Sequence, residues 1–285
     1  MILGARIKIA FFGSSEFSLV VLKELKKNGV IPDLVVTTPD KPQGRKMILT
    51  PTLTKVWSEE NSVEYAEPGR LNDEAFLKKI KNYNLFVVAS YGKIIPKIIL
   101  DIPKYKVLNI HPSFLPKYRG PSPLQGQILN DEKNIGVSIM LIDEQIDHGA
   151  IVAQKMVEIS NWPVGYLKFE AILAKEGADL LAQILPGWIS GKIKSSTQND
   201  KEATFTKKVL KTDGLLSLLN DAYKNYLKIL AYEEWPKTYF EVDKKGQKIR
   251  VIIKKATWKN GSLQIESVLP EGKKEMSYSD FLRGL

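Results

Sequence analysis

The chain has 285 residues and only two histidines. One of them, His111, stands in VLNIHPSFLPKYRGPSPLQG, residues 107–126, two positions after Asn109 and directly before Pro112. In an extended segment alternate side chains share a face, so Asn109 and His111 point one way while Leu108 and Ile110 point into apolar packing. Pro112 biases His111 itself toward extended backbone. An amide and an imidazole side by side at a strand end can donate to the oxyanion that develops in acyl transfer. The imidazole can also move protons near neutral pH. The plainer alternative is a pair that only caps the backbone of the next loop.

A carboxylate would orient the imidazole. LIDEQIDHGAIV, residues 141–152, supplies Asp143 and Asp147. Both follow the apolar run IGVSIMLI, again at the carboxyl end of a strand, and each also reads as a turn residue. His148 reads as a turn or surface residue whose side chain diverges from that of Asp147. Other chemistries lack their residues. The first strand ends FFGSSEFS, with one Gly where a dinucleotide fingerprint needs three. The chain has no P-loop and no Gly-x-Ser-x-Gly elbow. Two histidines and no cysteine disfavour a protein-built metal site, and no metal is expected.

Presenting Asn109 and His111 requires a buried sheet. RIKIAFFG, PDLVVTT, LFVVASYG, YKVLNIHPS and IGVSIMLID read as strands. SEFSLVVLKELKKNG, DEAFLKKIKNY, GPSPLQGQILND and GYLKFEAILAKEGADLLAQILPGWIS read as helices between or after them. This alternation predicts an α/β fold, a Rossmann-like, mainly parallel sheet over residues 1–190. Ligands bind beyond the carboxyl ends of the strands in such sheets. GKIKSSTQNDKEATFTKK is polar and aperiodic, so residues 191–206 read as a linker. A helix over DGLLSLLNDAYKNYLKIL and several short alternating runs follow. They predict a small C-terminal β-barrel, OB-like, within residues 207–285.

Net charge is +10, unevenly spread: residues 191–285 hold 19 Lys and Arg against 12 Asp and Glu. A polyanionic partner such as nucleic acid explains this, as does a set of solvated lysine faces. No run is long and apolar enough to span a bilayer, so no membrane role is expected. The N-terminal MILGARIKIAFFG reads as a first strand rather than a signal peptide. With no cysteine the chain suits a reducing compartment: the expectation is bacterial cytoplasm, or an organellar matrix.

The combination of NIHPSFLPKYRGPSPLQ with GVSIMLIDEQIDHGAIV resembles the 10-formyltetrahydrofolate-dependent formyltransferase family. Its pattern is Asn-x-His-x-Ser-Leu-Leu-Pro-x-(Tyr/Trp)-Arg-Gly followed by Asp-x-Gly. The resemblance places Asn109, His111 and Asp147 on the catalytic positions. It places Ser113, Phe114, Leu115 and Pro116 on the folate-contacting segment. VVASYGKIIP, residues 87–96, matches the segment lining the pterin pocket, with Val88, Tyr91 and Gly92 as candidate contacts. TTPDKPQGRKMILTPT, residues 37–52, resembles a basic loop by which one member reaches the acceptor stem of initiator tRNA. Lys41, Arg45 and Lys46 are therefore candidate tRNA contacts. So are Lys207 and Lys208, backed by Lys244, Lys245, Lys248, Arg250, Lys254 and Lys255. GSLQIESVLPEGKKEMSYSDFLRG resembles that member's C-terminal domain. The implied reaction moves a formyl group from 10-formyltetrahydrofolate, a co-substrate, to methionyl initiator tRNA for translation initiation. A monomer is the expectation. The chain departs from the pattern at SSEFS, at Phe114, at GPSP and at His148. The rival readings are a sugar-nucleotide amine as acceptor, water as acceptor, or an RNA-binding protein on a decayed enzyme scaffold.

Overall fold

A computed structural model of the chain describes residues 7–43, 47–244 and 246–285. The described chain forms two compact units. The first takes in residues 1–119, 134–157 and 171–204, and the second 120–133, 158–170 and 205–285.

The first unit is built on a seven-stranded sheet. In chain order its elements are β1 (Ile9–Phe12), α1 (Glu16–Lys27), β2 (Leu34–Val36), the short pair β3 (Lys41–Gln43) and β4 (Ile48–Thr50), α2 (Leu53–Glu60), β5 (Glu64–Ala66), α3 (Glu74–Ile80), β6 (Leu85–Val88), α4 (Lys97–Leu100) and β7 (Val107–His111). Then come α5 (Pro123–Leu129), which belongs to the second unit, β8 (Gly136–Leu141), β9 (Ile151–Met156) and α6 (Tyr166–Ile189). The sheet order is β5-β2-β1-β6-β7-β8-β9. The first five strands are parallel, and β8 and β9 are antiparallel additions. β1, β2 and β6 are apolar along their length, as in a parallel sheet covered by helices. Ala10, Phe12, Leu34, Val36, Phe86 and Val88 share one core with Phe76 and Ile80 of α3 and Ile99 and Leu100 of α4.

The departure SSEFS has a local cause. Ser15 caps α1, its hydroxyl accepting from Ser18 N–H while Ser18 Oγ accepts from Ser15 N–H. Ser18 Oγ also donates to the Ala89 carbonyl at 2.6 Å, tying the helix start to the end of β6.

One expectation needs correcting. Asp143 and Asp147 do follow β8, but β8 runs antiparallel to β7, pairing Leu141 with Leu108 and Ser138 with His111. The carboxyl end of β8 therefore lies at the amino end of β7, about 10 Å along the strand from His111.

The second unit contains the C-terminal antiparallel sheet. Helix α7 (Ala222–Ala231) precedes β10 (Tyr239–Lys244), β11 (Gln247–Lys259), β12 (Ser262–Pro270), β13 (Met276–Ser277) and α8 (Tyr278–Arg283). The strands form a meander in that order. Its core is Leu216, Phe240, Val251, Ile253, Val268 and Phe281. Helix α7 starts later than its periodicity suggests. Asp221 supplies the cap, accepting from Lys224 N–H at 2.8 Å, and residues 211–214 form only a 3₁₀ turn.

Candidate active site

β7 delivers the pair as alternation predicts. Leu108 and Ile110 are fully buried. A Cβ on Gly177 of α6 would lie 2.4 Å from Ile110 Cγ2, so glycine lets the helix close on this face. Asn109 is half-buried on the opposite face, and among the described residues its side-chain amide has no hydrogen-bond partner. It lies opposite Val88 at the carboxyl edge of β6. His111 is buried, 4% exposed. Its Nε2 lies 3.1 Å from the Tyr118 carbonyl oxygen. A carbonyl only accepts, so this bond puts a proton on Nε2 and leaves Nδ1 toward Asp147.

His111 Nδ1 stands 3.7 Å from Asp147 Oδ1. Because β8 ends far from His111, the 142–150 loop must fold back along β7 to bring Asp147 there. Two features hold it. A Cβ on Gly149 would meet the Leu141 carbonyl oxygen at 1.9 Å, so only glycine lets the returning loop pass β8 this closely. Asp147 has φ 48°, in the left-handed region that Asp adopts more readily than most residues.

The segment expected as a linker contributes directly. Gln198 is buried, and its Nε2 donates to the carbonyls of Asp147 at 2.9 Å and Gly149 at 2.8 Å. Its Oε1 accepts from Arg119 Nε at 3.0 Å. The Arg119 guanidinium also pairs with Asp200 at 2.8 Å, and Arg119 is buried. Thr204 Oγ1 accepts from Tyr118 N–H at 2.8 Å. Gln198, Asp200 and Thr204 of this stretch thus bond to the 118–119 and 147–149 loops of the first unit. Their polarity serves hydrogen bonds to those loops, which periodicity does not record.

His148 is also engaged. Its Nδ1 is 2.6 Å from Asp143 Oδ2, and its Nε2 is 3.5 Å from Asp200 Oδ2. The hydrogen bond to Asp143 raises the His148 pKa, with smaller help from the charges of Asp143 and Asp200 against desolvation and Arg119. The Arg119 hydrogen bond lowers that of Asp200. Asp143 and Asp147 therefore divide the two histidines between them.

In the 113–116 segment, Ser113 is buried and its hydroxyl donates to the Lys117 carbonyl at 2.7 Å, bracing the loop. Phe114 and Pro116 are half-buried, Leu115 is buried, and the Leu115–Pro116 peptide is cis. Phe114 sits against Gly136, where a Cβ would come within 2.8 Å of its ring. Ser138 and Gln154, which the motif did not flag, anchor this segment from β8 and β9. Ser138 Oγ donates to Ser113 O at 2.7 Å and accepts from Leu115 N–H at 3.0 Å, and Gln154 Nε2 donates to Leu115 O at 2.8 Å. Next to β6, Val88 and Tyr91 are buried and Gly92 is exposed with φ 76°. Tyr91 packs edge-on to Phe12, and its buried hydroxyl has no partner among the described residues. Burial pushes its pKa up to about 12.

Lys41 is exposed on β3, while Arg45 and Lys46 lie outside the described residues. At the base of this hairpin Lys55 Nζ holds Asp40 and Glu67, each at 3.0 Å. The one acid of the basic loop is therefore already paired. Hydrogen bonds donated by the Lys55 ammonium to these carboxylates, Asp40 first, raise the Lys55 pKa. In the second unit Lys207 and Lys208 are exposed. Lys255 is paired with Glu266 at 2.5 Å, Arg250 lies over the Tyr239 ring at 3.7 Å, and Lys245 is outside the described residues. No cluster of metal-ligating side chains exists among the described residues. No described helix is long and apolar enough to cross a membrane.

Residues 7–164 match the formyl transferase family, and the chain belongs to it. Relatives that match it along nearly its whole length include methionyl-tRNA formyltransferases. It is 34% identical to the one from Halalkalibacterium halodurans over 98% of this chain and 95% of the relative. It is 35% identical to the one from Macrococcus caseolyticus over 97% and 95%. The fold is shared with the solved methionyl-tRNA formyltransferase of Clostridium thermocellum, with a TM-score of 0.62 at 17% identity over 95% of this chain and 100% of that one. It is shared also with an N-formyltransferase from Helicobacter canadensis solved with folinic acid and dTDP-3-aminofucose, with a TM-score of 0.61 at 18% identity over 89% of each chain.

Proposed function

We propose that this chain transfers the formyl group of 10-formyltetrahydrofolate to the α-amino group of methionine esterified to initiator tRNA. The observation that carries this is similarity along the whole chain to methionyl-tRNA formyltransferases, C-terminal sheet included. The donor lies against residues 113–116, with Val88, Tyr91 and Gly92 around its pterin. Lys41, Arg45, Lys46, Lys207 and Lys208 meet tRNA phosphates.

The amine of an aminoacyl ester is less basic than that of a free amino acid, so much of it is neutral at pH 7. Its nitrogen attacks the formyl carbon, the carbonyl π electrons move to oxygen, and a tetrahedral oxyanion forms. Asn109 donates to that oxygen from a side chain with no competing partner among the described residues. His111 joins it by sharing its Nε2–H, held toward the Tyr118 carbonyl, with the charged oxygen, the stronger acceptor. Asp147 takes the proton from the attacking nitrogen. Collapse breaks the bond to N10, which receives that proton, leaving tetrahydrofolate and formylmethionyl-tRNA.

The test incubates the protein and formyl donor with charged initiator tRNA, charged elongator methionine tRNA and an amino sugar nucleotide in parallel. Formylation of initiator tRNA is the expected result. Formylation of the sugar alone, or donor hydrolysis without transfer, would replace this reading. Near-normal turnover in Asn109→Ala, His111→Ala and Asp147→Ala would remove these residues from the mechanism.

A further inference from the structure

We infer that Gln198 and Arg119 are positioning residues that together set the separation of His111 and Asp147. The inference rests on the formyl-transfer reading for its kinetic consequence, though not for its geometry. His111 ends strand β7 and Asp147 comes from the 142–150 loop, and neither element by itself fixes the distance between them. His111 is held through Nε2 by the carbonyl of Tyr118, the residue before Arg119. Asp147 is held by its own carbonyl and that of Gly149, both accepting from Gln198 Nε2. The Arg119 Nε–Gln198 Oε1 bond, 3.0 Å long, joins the two halves.

The chemistry of each group suits this work. Arg119 Nε can only donate, so the Gln198 oxygen must face it and the Gln198 NH2 must face the two carbonyls. The amide is thereby oriented without ambiguity. Asp200 takes the other side of the guanidinium, which fixes the plane of the fork. Arg119 and Gln198 are both buried, so water does not replace a lost bond. Both side chains act through the backbone of the groups they hold. The structure thus supplies a path by which a residue in a featureless polar segment governs a strand-end histidine.

Three substitutions separate donation from bulk. Gln198→Met fills the same volume with no hydrogen bond. Gln198→Glu keeps an acceptor for Arg119 and loses the donor to the carbonyls. Arg119→Lys keeps a cation for Asp200 and loses the fork. Each should lower kcat about tenfold or more, because misplacement on the order of 1 Å carries such costs. KM for both substrates should stay within about threefold. Thermal melting is followed alongside. Because the chain has only two histidines, ring nitrogen NMR reports His111 directly, with His148→Gln assigning the other signal. The His111 signals should shift in all three variants.

A folded Gln198→Glu protein with wild-type kcat would overturn the inference, as would a loss confined to KM. Unchanged His111 ring signals in all three folded variants would overturn it independently of any assay. If the wild-type protein formylates no acceptor, the functional reading fails and the NMR arm alone decides the positioning claim.

Discussion

Gly149→Ala is the sharpest small perturbation of the site. The added methyl would lie 1.9 Å from the Leu141 carbonyl oxygen and 2.8 Å from its carbon, both backbone atoms at the end of β8. The nearest approach is about 1.5 Å short of ordinary contact, so the loop must retreat by roughly that amount. Asp147 lies two residues away and moves with it. Its distance to His111 Nδ1 would grow from 3.7 Å. For a charged imidazole at an effective dielectric of about 20, a retreat of about 1.5 Å removes roughly 1.3 kcal/mol of attraction. That is about a tenfold loss in rate from charge alone, and loss of alignment takes the expected loss toward a hundredfold. Overpacking costs about 1–3 kcal/mol of stability, so melting should fall by several degrees without abolishing the fold. Single-turnover formylation, with KM for both substrates and a melting curve, checks this. A Gly149→Ala enzyme with kcat within about twofold of wild type would refute the close-packing argument for Asp147.

Asn109→Ala should cost about 10²–10³ in kcat, the usual loss of one oxyanion donor. Since the amide has no partner among the described residues, melting should move little, and a large drop in stability would make Asn109 structural instead. His148 has a raised folded pKa, so its interaction with Asp143 and Asp200 stabilises the fold fully below about pH 6.5 and is lost as pH rises through the folded value. The melting gap between wild type and His148→Gln should therefore be widest near pH 5.5 and narrow by pH 9. A gap independent of pH would mean that the protonated ring contributes nothing. Replacing Lys207 and Lys208 by Ala should reduce the slope of log affinity for tRNA against log salt by up to about 2 and leave folate binding unchanged. An unaltered slope would take these lysines off the phosphates.

What the residues make legible is whatever obeys a short period. The alternation Leu108, Asn109, Ile110, His111 defines the strand, its two faces and the site's leading pair. The helical spacing of Phe17, Val21 and Leu25 defines α1 with its end. Direction is not legible: nothing in IGVSIMLI distinguishes an antiparallel β8 from one more parallel strand. Asp147 therefore meets the expected histidine by a different route, a loop folded back along β7. Nor is Gln198 visible, because STQND has no periodicity and its order comes from carbonyls fifty residues earlier. His148 looks like a bystander in the sequence since side chains of adjacent residues diverge. They do diverge, and the divergence is what sends His148 to Asp143.

Gln198 lies far down the chain, and this orders events during synthesis. Once residue 156 has left the ribosome, every strand of the seven-stranded sheet exists, and Asn109, His111 and Asp147 are all present. The amide that holds the Asp147 carbonyl emerges some forty residues later, followed by Thr204 on the Tyr118 amide. A nascent chain at residue 190 thus carries all three proposed site residues and every strand of the sheet, without the proposed clamp. Alignment is the last thing translation adds to this unit.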